Sequence, residues 1–278
     1  MIQILLGLVW DFGIYILISS AFCLYLKYLK ILDFSFCASM GFGAFLFWQL
    51  YPINILLALS ISLIFTISFG VISYSTIFSK LKNSFEGLDL LFGLILTDLI
   101  QNIFLILFGS NIKVLDLGNS KVEFFGIVID IFSLGYLALA GMIYLLLLYI
   151  LNNTTNGLKI KSSRFELQLA NLGHNFSKYN LLIVGLALFY IYLASVGIAL
   201  SKTLQFSVLI NFTIKGWILA IISNNILSKV LYNSLIFIFI EALAIYFLDK
   251  NFRDVILYGF IIFWIIIKDL PRIKLNHL

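Results

Sequence analysis

Long apolar runs alternate with short polar stretches along almost the whole chain. Six of these runs reach or exceed the about 18 residues that a membrane-spanning helix needs. They fall near 4–26, 52–78, 88–108, 125–151, 181–201 and 231–248. The pattern predicts an all-α, polytopic integral membrane protein.

Three further apolar segments are less regular. Residues 34–50 contain small residues and glycines, residues 206–227 contain Lys215, and residues 255–267 give only a short apolar run. A run as short as the last needs its flanking residues to reach both membrane interfaces. Counting all nine segments, we expect about eight or nine membrane segments in a single transmembrane domain over residues 1–278.

Composition agrees with this pattern. Hydrophobic residues make up 62% of the chain and charged residues 11%, whereas a soluble domain has about 25% charged residues. The net charge of +5 comes mostly from short loops and gives no reason to expect nucleic acid as a partner. Cys23 and Cys37 form no Cys-x-x-Cys or Cys/His cluster, so we expect two buried thiols, no metal site and no cofactor. No basic residue precedes the first apolar run, which therefore reads as a retained span rather than a signal peptide.

The Lys and Arg distribution predicts the orientation, because cytoplasmic loops are enriched in these residues. With the N-terminus outside and the C-terminus in the cytoplasm, the inner loops hold the larger basic group. That inner group is Lys27, Lys30, Lys80, Lys82, Lys159, Lys161, Arg164, Lys178, Lys229, Lys268, Arg272 and Lys274. The outer loops hold Lys113, Lys121, Lys202, Lys250 and Arg253. The long polar loop at 152–179 is therefore expected in the cytoplasm.

That loop contains the pattern of a short amphipathic helix. Ser163 and Glu166 have the spacing of a capping box, and Gly173 stands where a left-handed C-terminal cap is expected. Between them, Phe165, Leu169 and Leu172 recur on one apolar face, whereas Arg164, Gln168 and Asn171 lie largely elsewhere. Such a helix either lies on the lipid interface or docks into a groove of a soluble partner, and its pattern leaves both open.

The same loop resembles a cytoplasmic loop of bacterial ABC importer permeases of the branched-chain amino acid and ribose type. The similar residues are Gly157 to Ser163, reading GLKIKSS, followed by Leu169 to Asn175, reading LANLGHN. A second match is Leu32-Asp33-Phe34 followed by Gly43-Ala44, and a weaker one runs through Leu181–Leu200. The chain departs from the family's pattern at Arg164-Phe165-Glu166, at the spacing from Ala170 to Gly173, and at Lys215-Gly216.

The resemblance implies a permease subunit of the bacterial inner membrane that imports a small polar solute, an amino acid before a sugar or nucleoside. It implies that the loop helix is a coupling helix that contacts the ATPase subunit through Arg164, Phe165, Glu166, Leu169 and Leu172. The implied partners are a second permease chain, cytoplasmic ATPase subunits, an external binding protein and membrane lipid.

Five charged residues lie within the predicted spans, namely Asp11, Asp98, Asp130, Lys215 and Glu241. A charge at the bilayer centre costs about 2.5–3.5 kcal/mol on insertion scales, so each is expected to face protein or water. Asp11 and Asp130 stand close to span ends, from which a side chain can reach the interface. Lys215 and Glu241 are better candidates for a buried pair. A proton relay remains the functional alternative for this set.

Small residues occupy every second position from Ser35 to Gly43. They permit either close helix packing or a non-helical segment that lines a cavity. Spacing favours packing, whereas the resemblance favours a broken segment beside the translocation path. Candidates for that path are Asp33, Ser35, Ser39, Lys215 and Glu241.

Catalysis finds little support in the sequence. His174 and His277 have no matching ligands nearby in the sequence, and no Gly-rich P-loop is present, so ATP hydrolysis is expected on a separate subunit. Two other functions stay open: a proton-translocating subunit of a respiratory complex and a stand-alone secondary transporter. The latter often shows internal symmetry, and the sequence has no convincing repeat.

Overall fold

The computed structural model describes residues 2–81, 87–115, 121–124, 127–162, 177–201, 203–247 and 259. Their dominant structure is helical. The helices are α1 Ile2–Gly7, α2 Val9–Leu24, α3 Phe36–Leu50, α4 Ile55–Ser73, α5 Leu88–Phe108, α6 Ile131–Asn153, α7 Thr155–Ser162, α8 Ser177–Ser201, α9 Phe206–Ile222 and α10 Leu227–Phe247. A π-helical turn, Tyr25–Leu29, extends α2, and another, Tyr74–Phe78, joins α4 to a last turn at Ser79–Leu81.

Six helical stretches are long and apolar enough to cross a membrane, and these are Val9–Leu29, Ile55–Leu81, Leu88–Phe108, Ile131–Asn153, Tyr179–Ser201 and Leu227–Phe247. The apolar helices α3 and α9 are shorter. Large apolar side chains such as Ile64, Ile106 and Leu145 are exposed on the outer helices, as expected for surfaces that meet lipid. The structure thus indicates a helical, membrane-embedded protein. The ninth predicted segment, at 255–267, lies almost wholly outside the described residues.

Two helices form the centre of the bundle. Helix α2 packs against α6, α8, α9 and α10, while α3 packs against α4, α5, α8 and α9. Small residues allow these close contacts, since a Cβ at Gly43 would collide with Ser195 on α8 and one at Gly70 with Leu188. The largest fully buried side chains include Tyr15, Phe22 and Phe36, at the centre of this arrangement.

The two ends of the bundle are identified by contacts between loops. At one end, Lys113 and Leu204 exchange backbone hydrogen bonds of 3.2 and 2.7 Å, and the Trp48 indole N–H donates to the Val114 carbonyl at 3.3 Å. At the other end, the Asp89 carboxylate accepts a hydrogen bond from the Leu32 backbone N–H at 2.6 Å. We call these the Trp48 end and the Asp89 end. Helix α3 therefore extends to the same end of the bundle as the last turn of α5.

One predicted span begins later than its hydrophobicity suggests. The apolar run near 125–151 was predicted to be helical throughout, but Lys121–Phe124 and Ile127–Asp130 form an antiparallel hairpin, and α6 starts at Ile131. The hairpin sequence is rich in Val, Ile and Phe, which favour strands as readily as buried helices. Apolar content alone does not separate these outcomes.

Candidate functional site

A buried ion pair joins α9 to α10. The Lys215 ammonium lies 3.1 Å from the Glu241 carboxylate, and the two side chains are 6% and 0% exposed. The Tyr15 hydroxyl on α2 donates to both carboxylate oxygens, at 3.3 and 3.2 Å. The structure therefore confirms that Lys215 and Glu241 pair, and it adds Tyr15, which the sequence did not single out.

This three-residue cluster lies inside the apolar part of the bundle. Tyr15 is six residues from the start of α2, Glu241 is six from the end of α10, and Lys215 is nine from the start of α9. At 1.5 Å per residue, all three lie roughly 9–14 Å from the Trp48 end of their helices. The rings of Phe212 and Phe237 pack on Tyr15 at centroid distances of 5.4 and 5.5 Å. The ion pair and the Tyr15 hydroxyl thus join three helices. In this apolar environment neither charge would be stable alone.

The second feature is the connector of residues 30–35, which leads from the end of α2 into α3 without helical structure. It packs along one face of α5, where Asp89, Gly93 and Thr97 recur every fourth residue. Asp89 accepts the Leu32 N–H, and the Thr97 hydroxyl donates to the Phe34 carbonyl at 3.0 Å. Gly93 lets the connector approach, because a Cβ there would lie 2.7 Å from the Phe34 backbone nitrogen. Side chains of α5 thus replace hydrogen bonds that a helix would have made.

Asp33 stands in the middle of this connector and is 2% exposed. Its Oδ1 accepts a hydrogen bond of 2.8 Å from the Ser35 backbone N–H, which prepares the start of α3. Burial raises the pKa of the Asp33 carboxyl to about 7, and the nearby Asp89 carboxylate adds a smaller increase. The connector therefore holds a carboxyl group that favours its neutral form more than an exposed one does.

This raised pKa predicts a pH dependence of stability. The pKa of about 7 in the folded chain exceeds the ordinary 3.8, so between these pH values the folded state holds a proton that the unfolded state releases. Stability is expected to be greatest below about pH 4 and to fall by on the order of 1 kcal/mol per pH unit up to about pH 7. Thermal unfolding in nanodiscs between pH 5 and 8 measures this slope. Asp33→Asn keeps the acceptor oxygen and is expected to flatten it; equal slopes in both proteins would contradict the assignment.

The small-residue segment from Ser35 to Gly43 lies mainly within α3, which is an uninterrupted helix. Gly41 packs against the rings of Phe206 and Phe104, and Gly43 packs against Ser195 and Thr66. These contacts are the close helix packing that spacing favoured, and the non-helical stretch is confined to residues 30–35, before α3 begins at Phe36. Ser39 is fully buried, and its hydroxyl has no hydrogen-bond partner among the residues that the structure describes.

The five candidates for the translocation path therefore form two groups on different sides of α9. Trp217 contacts Phe34 of the connector at 5.9 Å between ring centroids, whereas Lys215, two residues earlier, turns toward α10. Two positions along a helix differ by about 200°. All five candidates are buried within the chain. Their role in translocation remains a prediction.

Two of the other predicted residues can be placed. Asp11 was predicted to reach the membrane interface, but it is 1% exposed, because α2 is covered on its sides by neighbouring helices. Asp130 ends the second strand of the hairpin. The predicted coupling helix, with Arg164, Phe165, Glu166, Leu169 and Leu172, lies outside the described residues.

The described part of the polar loop contains a helix that the sequence did not predict. Helix α7 follows α6 after one residue, and the Thr154 hydroxyl accepts a hydrogen bond from the Gly157 N–H at 3.0 Å. A Cβ at Gly157 would collide with the carbonyl of Ile150. Glycine is therefore required where α7 turns back against the end of α6.

A comparison with models of known protein families, with curated proteins and with solved structures finds no match to this chain.

Proposed function

We propose that this chain is the permease subunit of an ATP-driven importer for a small polar solute, with an amino acid as the first choice. Two such permease chains would form the membrane unit, an external binding protein would deliver the solute, and cytoplasmic ATPase subunits would drive the change between outward and inward states. The chain itself would carry no catalytic residue. Its work would be mechanical.

The observation that carries the proposal is the structure of the two stretches on which the family resemblance depends. Leu32-Asp33-Phe34 belongs to the connector, an irregular segment held by Asp89 and Thr97 of α5. Gly157 lies in the first turn of α7, where that helix packs against the end of α6. A lipid-facing span requires neither feature. Irregular backbone beside membrane helices is typical of proteins that line a solute path.

The positions of the basic residues support a cytoplasmic Asp89 end. Lysines of the described loops and helix termini at or toward that end are Lys27, Lys30, Lys80, Lys159, Lys161 and Lys229. Lys113 and Lys121 lie at the Trp48 end or in the hairpin that follows α5. Under the positive-inside rule, the N-terminus would be outside and the loop that follows α7 would meet the cytoplasmic ATPase.

The decisive experiment concerns that loop. In the proposed coupling helix, Phe165 belongs to the apolar face that would dock on the ATPase, and Phe165→Asp would bury a charge in the contact. We expect Phe165→Asp to lose ATPase co-purification and solute uptake at normal membrane abundance. Ser163→Ala is the matched control in the same loop, with an expected loss of about 1 kcal/mol of helix stability through the missing cap and a milder effect on uptake.

Two results would contradict this assignment. If an ATPase co-purifies equally well with Phe165→Asp, the loop helix is not its docking element. If the substitution releases the loop from lipid and leaves uptake unchanged, the helix is an interfacial one.

The buried cluster of Tyr15, Lys215 and Glu241 favours a second candidate, a secondary transporter or proton-translocating subunit. Ionisable residues inside a membrane domain often belong to proton or ion pathways. Uptake by the purified chain in proteoliposomes with an imposed proton gradient and without ATP would support this candidate. The importer proposal expects no such uptake.

A further inference from the structure

The exposed surface of α5 has one wholly apolar sector and, beside it, a sector that also contains polar residues. At 100° per residue, Phe92, Ile95, Leu99, Ile103 and Ile106 share one sector, and all are large exposed apolar residues suited to lipid. Asp98, Gln101 and Asn102 lie in the neighbouring sector, which we call the polar sector although it also holds the exposed Leu91, Leu94 and Leu105. Asp98 and Asn102 are exposed. Asp98 stands ten residues from either end of this 21-residue helix, so its carboxylate is at the middle of the span.

No hydrogen bond or ion pair joins the Asp98 carboxylate to another side chain among the described residues. Hydrocarbon solvates a charge poorly, so a mid-span carboxylate that is exposed on the surface of one chain does not belong against lipid tails. The Asp98 carboxylate must therefore face water, another protein or a ligand.

Residues of α9 and of α5 line one pocket at the Trp48 end, and we call the space between these two helices the groove. The ring centroids of Phe206 and Phe104 lie 6.0 Å apart, and those of Trp217 and Phe34 lie 5.9 Å apart. Phe34 is also the residue that packs on Gly93. Helix α9 therefore runs antiparallel to α5, from the level of Phe104 to about the level of Gly93. Ser207 and Asn211 are the only exposed residues of α9, all of whose residues the structure describes, and both are polar.

A pocket of about 190 Å³ lies at the Trp48 end of this groove, one helical turn from Asp98. Its apolar lining includes the rings of Phe45, Phe104 and Phe206, and its polar lining includes Gln101, Gln205 and Ser207. Aromatic rings suit an apolar body and also attract organic cations. The described residues contain no group of three side chains that could hold a metal ion, so the single carboxylate of Asp98 suits an organic cation better.

From this arrangement we propose that the groove between α5 and α9 is a solute-binding site for a small amine, with its ammonium group at Asp98 and its apolar body in the aromatic pocket. The proposal rests on the proposed function, because it names the class of solute that the permease would carry. The amides of Gln101 and Asn211 would contribute hydrogen bonds to polar groups of the solute. Charge complementarity makes Asp98 the residue that selects an amine over a neutral or anionic solute.

The first test asks whether the polar sector meets water. Cys23 and Cys37 are buried, and both are replaced with alanine to give a background without native thiols. Single cysteines are then introduced as Asp98→Cys and as Leu99→Cys, its neighbour at the same depth in the apolar sector. We expect a membrane-impermeant trimethylammonium methanethiosulfonate to modify position 98 at least tenfold faster. Equal rates would overturn the proposal, because the two sectors would then share one environment.

The second test measures binding to the full chain in nanodiscs of zwitterionic lipid, without any ATPase. The probes are 2-phenylethylammonium and the neutral 2-phenylethanol. We expect saturable binding of the ammonium at least tenfold tighter than that of the alcohol. Asp98→Asn is expected to abolish this preference and leave alcohol binding unchanged, whereas Asp98→Glu retains it. The control Asp116→Asn neutralises a carboxylate elsewhere in the chain and is expected to bind like the wild type.

Absence of saturable ammonium binding, or a preference that survives Asp98→Asn, would overturn the proposal even if position 98 is accessible to water. The sector would then face a partner chain or a solute of another class. Because no ATPase takes part in either test, this failure is distinguishable from failure of the importer proposal, which concerns the loop containing Phe165.

Discussion

Lys215→Met is expected to destabilise the protein by about 3–5 kcal/mol, since it leaves the Glu241 carboxylate buried without its cation. The carboxylate is 0% exposed, and the Tyr15 hydroxyl that donates to it carries no charge to neutralise it. Thermal unfolding in nanodiscs measures the effect, which corresponds to a fall in Tm on the order of 10 °C. The control is Lys80→Met, because Lys80 is exposed at the opposite end of the bundle.

The double variant Lys215→Met/Glu241→Gln separates pairing from packing. Both charges are removed, the side-chain volumes are nearly kept, and Gln still offers an oxygen to Tyr15. We expect it to regain most of the lost stability, because a neutral pair of matching shape carries no buried charge. A double variant as unstable as Lys215→Met would mean that the ion pair is not the origin of the loss. If uptake fails in the stable double variant, the charges themselves take part in transport.

Gly93→Ala is expected to destabilise the connector by about 1–3 kcal/mol, the usual cost of overpacking. The new Cβ would lie 2.7 Å from the backbone nitrogen of Phe34 and 3.1 Å from its Cα, and backbone atoms cannot rotate away as a side chain can. Moving the connector would also weaken the hydrogen bonds from Leu32 to Asp89 and from Thr97 to Phe34. The free energy of unfolding in nanodiscs and the rate of solute uptake are both expected to decline.

The matched control is Gly141→Ala on α6, where a Cβ meets nothing within 4 Å. The same substitution is there expected to be neutral or to stabilise the helix by up to about 1 kcal/mol, because alanine is the better helix former. If Gly93→Ala is as well tolerated as Gly141→Ala, the connector is free to move away from α5 and is not a fixed part of the fold.

The hydrophobic pattern of the sequence was sufficient to predict most of the long helices. The run predicted near 88–108 is the helix Leu88–Phe108, because a helix crossing a membrane must be apolar over its whole length. The same rule explains why the start of the next predicted span was misassigned, since the strands Lys121–Phe124 and Ile127–Asp130 are also rich in apolar residues. Because membrane-crossing helices are apolar, Lys215 and Glu241 also stood out in the sequence as candidates for a buried pair. Two opposite charges in apolar helices have few other ways to be accommodated.

The amino-acid pattern alone was enough to predict a helical, membrane-embedded protein, the polar residues that are exceptional in its spans and the positions of the basic residues along the chain. Which of those residues meet depends on the packing of the helices. Glu241 meets Tyr15 across 226 positions of the chain and Lys215 across 26, and Asp89 meets Leu32 across 57. Periodicity describes the faces of one helix, whereas these contacts depend on how several helices pack. For the same reason, the sequence marked Asp98 as costly, whereas its exposure at the middle of α5 could be read only from the fold.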